Sequence, residues 1–163
     1  MTIDAGESPS VSLRHAIATL AYRAAKTLRS APDGFAHFRA APTTRTAVEI
    51  VAHMADLLEW AARRADGDAD WRVAQPGDWN QEINRFFVAA KALDDRLATG
   101  TPIACSPERL FQGPLADALT HVGQLATLRR LAGSGVGGES YFQAEIIPGR
   151  VGMDQASPKR EFD

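Results

Sequence analysis

The stretch TAVEIVAHMADLLEW, residues 46–60, has the form of an amphipathic helix that carries its own start signal. Thr46 followed three residues later by Glu49 fits a capping box, in which the Thr oxygen and the Glu side chain each satisfy an orphan donor at a helix N-terminus. From there Ile50, Met54, Leu57, Leu58, Ala61 and Ala65 recur at three- and four-residue steps, the spacing that lines one helical face. Asp66-Gly67-Asp68 then stops the helix with turn residues. His53 lies at the edge of the apolar arc, between Ile50 and Leu57.

The same period recurs on both sides of this segment. Upstream, Leu13, Ile17, Leu20, Ala24 and Leu28 form the stripe of a helix over Val11–Arg29, ended by Pro32-Asp33-Gly34. His15, Tyr22 and Lys26 are expected on its polar side, and residues 1–10 read as a polar tail. Downstream, residues 66–78 form a polar connection containing Trp71 and Pro76. About a dozen extended residues can span ~40 Å, more than the ~30 Å of a twenty-residue helix. The second and third helices therefore need not form a hairpin, and a crossover is possible. A third helix follows from Trp79 to Leu97, with Ile83, Phe86, Ala90 and Leu93 on its stripe. Ser106-Pro107-Glu108 starts a short helical turn, expected to break at Gly113-Pro114 before a fourth helix over Leu115–Ala132. Beyond Gly133 no helical period remains. The expected fold is all-α, a four-helix bundle over residues 11–133, with residues 134–163 as an irregular extension packed on the bundle or on a partner subunit.

Composition agrees. The chain has 163 residues, a length usual for one domain, and contains 29 alanines. Its net charge of -2 gives no basic excess of the kind that holds nucleic acid. No apolar run approaches the ~18–20 residues of a membrane span. The first thirty residues show no secretory leader and Cys105 stands alone, so the expected location is cytoplasmic.

Against this plain helical background a few polar residues stand out. On the fourth helix Asp117, His121, Gln124 and Leu128 fall on one line beside the apolar arc. A carboxylate on such a seam is costly unless it is paired or binds a metal. If the second and fourth helices are neighbours, His53, Asp117 and His121 could converge as two imidazoles and a carboxylate. Three such ligands leave coordination positions open, as catalytic metal sites do, and zinc, nickel and ferrous iron all suit the set. Gln124 would orient a ligand or a water and Trp60 would wall the pocket, with core packing the alternative for each, and Glu49 could supply a fourth ligand or serve only as a cap. The bland alternatives are a packed His53 and an ordinary helical Asp117–His121 pair, worth only ~0.2–0.5 kcal/mol. Trp60, Phe86 and Phe87 could also wall a ligand pocket. His15 and His37 read as solvent-exposed, and the Gly-rich residues 133–138 lack the lysine and strand of a phosphate loop.

The segment TAVEIVAHMADLLEW resembles the second helix of DinB-like (YfiT-like) proteins. DALTHVGQLATLRRLAG, residues 117–133, resembles their fourth, whose usual pattern is H-x3-H-R-G-Q. The resemblance implies a four-helix bundle with a long connection between helices two and three, a three-residue metal site, and a homodimer. His53 and His121 match two of the family's ligands. Asp117 stands where most members carry a His, although members resembling mycothiol-dependent maleylpyruvate isomerase use a carboxylate there; Val122 replaces the usual Arg. The implied function is that of a divalent-metal-dependent transferase, isomerase or hydrolase acting on a small molecule, with a low-molecular-weight thiol as co-substrate. The rival expectation is a non-catalytic dimeric bundle with a binding or stress-response role.

Overall fold

The computed structural model describes residues 9–162, so all but the last two residues of the expected N-terminal tail lie outside the described residues. The chain is all-α apart from one minute sheet. Its long helices are α1 (Pro9–Leu28), α2 (Ala47–Ala65), α3 (Trp79–Ala98) and α5 (Ala116–Leu131), with a single turn, α4 (Pro107–Leu110), ahead of α5. Two-residue strands β1 (Gly138–Glu139) and β2 (Glu161–Phe162) pair antiparallel. No helix among the described residues is long and apolar enough to cross a membrane.

The stripes face inward as their spacing requires. Ile17, Leu20, Met54, Leu58, Phe86, Leu93 and Leu125 are fully buried in one continuous core. Helix α2 packs on α3 and α5, and α1 packs on the same two. Cross-links between helices set their directions. Arg85 binds Asp56 and Arg96 binds Asp66, so α3 runs parallel to α2. Arg14 near the start of α1 grips Asp94 near the end of α3, at 2.9 and 3.0 Å, so these two are antiparallel. Arg129 near the end of α5 donates to the carbonyls of Thr27, Arg29 and Ser30 at the end of α1. The order is therefore up, down, down, up, and the connection between α2 and α3 is a crossover.

That connection does not swing free. It runs back along α2, where the Asp56 carboxylate accepts from the Ala74 N–H, while Glu82 of α3 accepts from Gly77. Arg85 ties both acids together, reaching Asp56 at 2.7 Å, Glu82 at 2.8 Å and the Ala52 carbonyl at 2.9 Å.

Two expectations are corrected. The chain does not break at Gly113-Pro114: Phe111–Leu115 form a π-helical turn that joins α4 to α5 without interruption. Pro114 has no N–H to give the α-helical ladder, and a widened turn accommodates that missing bond. Nor are Tyr22 and Lys26 on a solvent face. Tyr22 is 2% exposed, and its hydroxyl donates to Glu139 at 2.5 Å. Lys26 donates to both Glu139 and Glu161. Polar residues on α1 are thus matched to acids of the C-terminal segment, a pairing that helical periodicity cannot reveal. Val151 of the same segment joins the core. His15 and His37 are exposed, as expected.

Candidate metal centre

Helix α2 presents His53 from the edge of its buried face, and the adjacent first turns of α5 present Asp117 and His121 one turn apart. Because α2 packs on α5, the three side chains meet. His53 Nε2 lies 3.7 Å from one carboxylate oxygen of Asp117, and His121 Nε2 lies 3.4 Å from the other. The imidazole rings stand nearly perpendicular, at 85°, with centroids 5.0 Å apart. One donor atom from each residue lies within 4.8 Å of the other two, so the group could hold a metal ion.

The spacing can be set against two kinds of polar cluster. An imidazole donating to a carboxylate sits at ~2.7–3.2 Å, and both contacts here are longer. Two donors on a tetrahedral ion, each ~2.1 Å from it, lie ~3.4 Å apart. The 3.4 Å contact of His121 equals that second spacing, and the 3.7 Å contact of His53, made to the other carboxylate oxygen, is slightly longer. Burial is graded across the site: the side chains are 9% exposed at His121, 20% at His53 and 46% at Asp117. The cluster is closed on the imidazole sides and open beside the carboxylate.

Surrounding groups set the state of the two imidazoles. Gln124 Oε1 lies 2.8 Å from His121 Nδ1. An amide oxygen only accepts, so the proton sits on Nδ1 and the Nε2 lone pair faces Asp117. Burial holds the His53 pKa below its ordinary value, and the positive charge of Arg45 and repulsion by His121 lower it further, against an opposing pull from Asp117. His53 is therefore neutral at neutral pH, the form that binds metals.

Trp60 does wall a cleft, of about 530 Å³, that reaches Asp117 and also includes Leu57 and Pro114. Its indole packs edge-on against Trp71 at 5.7 Å, and Trp71 packs edge-on against His53 at 5.9 Å. Trp71 is a site residue that sequence reasoning left in the connection; its only signal was a large aromatic ring in an otherwise polar stretch. Glu49 is not part of the donor group. Its carboxylate accepts from the Thr46 N–H at 2.6 Å and the Thr46 hydroxyl at 2.9 Å, so it serves the cap. Phe86 and Phe87 are 0% and 8% exposed and belong to the core. On the other side of His121 lies a second, larger cleft of about 690 Å³, bordered by Arg45, Ile50, Gln124 and Leu128. Arg45, too, carried no signal in the sequence, since a lone Arg in a loop is ordinary.

Comparison with family models, with curated proteins and with solved structures returned no match.

Proposed function

We propose that this chain is a divalent-metal-dependent enzyme of the DinB-like class, in which His53, Asp117 and His121 hold one ion and the reaction is a thiol-dependent transfer, an isomerisation or a hydrolysis. The observation that carries this reading is the convergence of one donor atom from each of these three residues to within 4.8 Å of the others, where α2 meets α5. The up-down-down-up arrangement, read as a four-helix bundle with a long α2–α3 connection, supports the same class. That class also carries a homodimer and a low-molecular-weight thiol.

A bound zinc, nickel or ferrous ion supplies Lewis acidity, lowering the pKa of a thiol or water so that a nucleophile exists at neutral pH. The chain's own residues supply the rest. Gln124 fixes the His121 ring, burial keeps His53 neutral, and Asp117 contributes one negative charge. Trp71 shields the His53 side from water, leaving access past Asp117.

The test is metal analysis of untagged protein. One divalent ion per chain is expected, lost in Asp117→Ala and His121→Ala while helical content is kept. Absence of metal, with thermal stability unchanged by a chelator, would instead establish a non-catalytic bundle whose polar seam is structural.

A further inference from the structure

The larger cleft beside His121 is distinct in its chemistry. Ile50, Leu128 and Leu131 make its walls, and no Asp or Glu lines it. Its threonine hydroxyls are already committed: Thr44 donates to the Ala41 carbonyl, Thr120 to Ala116 and Thr127 to Gly123. With the His121 imidazole committed to Gln124 on one side and turned toward Asp117 on the other, the charged group left to a ligand is the Arg45 guanidinium, beside the neutral amide of Gln124. Arg45 is exposed and enters none of the ion pairs or side-chain hydrogen bonds among the described residues. Glu49, the acid whose charge it feels, spends its carboxylate on Thr46.

We propose that this cleft binds a small monocarboxylic acid with an apolar body, its carboxylate on Arg45 and its body against Ile50, Leu128 and Leu131. A guanidinium is shaped for two parallel hydrogen bonds to a carboxylate, and an unpartnered one on an apolar cleft supplies both orientation and charge selection. One cation without a second basic group suits a single negative charge better than a phosphate dianion. Because His121 borders the same cleft, the acid lies beside the metal centre. The assignment of this acid as substrate rests on the reading under Proposed function; its binding does not.

The two can therefore fail separately. Untagged protein stripped of metal with a chelator is titrated calorimetrically with hexanoate and 3-phenylpropanoate, and with their primary amides. Stripping removes any direct carboxylate–metal bond as a source of preference. The acids are expected to bind about tenfold or more tightly than the amides. Arg45→Gln should abolish that preference, whereas Arg39→Gln, a charge-matched change in the same loop, should keep it. Equal affinity of acid and amide, no binding of either at millimolar concentration, or a preference that survives Arg45→Gln would each overturn the proposal. Metal content measured on the untagged protein before stripping reports on the metal reading alone. Metal-free protein that still selects acids through Arg45 sustains the cleft assignment even where no ion is ever found.

Discussion

The amide oxygen of Gln124 lies 2.8 Å from Nδ1 of His121, one turn earlier on α5, and this contact decides which imidazole nitrogen faces Asp117. Partners of this kind typically account for 10–100-fold in metal affinity, because they fix both tautomer and ring orientation. Gln124→Leu should therefore weaken metal binding by about 10-fold or more in a competition titration against a chromogenic chelator. Gln124 is exposed, so its unfolding midpoint should barely change. Gln124→Glu keeps an acceptor at the same place and should restore the affinity. If Gln124→Leu binds metal like the parent, Gln124 does not orient the site.

Trp71 reports on the same centre from the other side. Its ring lies 5.9 Å from that of His53, an ordinary edge-to-face packing distance that brings the indole beside the donor group. Cobalt(II) or nickel(II) bound by His53, Asp117 and His121 should quench its fluorescence. Trp71→Phe should remove most of the metal-dependent quench while leaving stoichiometry intact. A quench of undiminished size in that variant would place the ion elsewhere.

Arg85 holds the crossover to α2, and its loss should cost more than an ordinary surface ion pair. Asp56 and Glu82 are 2% and 4% exposed, and Arg85 is the cation that serves both. Removing one partner of a buried pair leaves uncompensated charge, typically costing ~3–5 kcal/mol. Arg85→Met should lower stability in urea by about 3 kcal/mol, taking the lower end because the guanidinium keeps some solvent access. Adding Asp56→Asn and Glu82→Gln should recover much of the loss. Failure of that triple variant to recover would show that Arg85 acts through packing, not charge.

How much of this was legible depends on how local the signal was. The buried stripes of α1, α2, α3 and α5 were readable because each residue's face follows from its own spacing, and Leu13, Met54, Phe86 and Leu125 all lie where that spacing puts them. The convergence of His53 with Asp117 and His121 was readable only as a condition, since it needs α2 and α5 to be neighbours. Tyr22 was misplaced because its partner, Glu139, is more than a hundred residues away, in a two-residue strand that no helical period announces. Arg85, Arg45 and Trp71 were invisible for a related reason. Each acquires its role from the path of a connecting segment, and no periodicity describes such a path.

The cap on α2 makes a prediction in pH. Glu49 accepts from the Thr46 N–H and hydroxyl, and these hydrogen bonds hold its carboxyl below the ordinary value of 4.5, helped by Arg39 and Arg45. A carboxyl whose folded value lies below its unfolded one favours the native state above the unfolded value. That contribution falls away as pH drops from about 4.5 through the folded value. Glu49→Gln can still accept a hydrogen bond but carries no titrating charge. The parent should therefore be the more stable of the two at pH 6, and the gap should close as the solution is acidified below pH 4.5. Thr46→Ala removes the other half of the box and should cost about 1 kcal/mol at pH 6. Paired thermal melts of the three proteins across this range check the sign. A gap that persists unchanged into acid would mean that Glu49 stabilises α2 by packing, with no contribution from its charge.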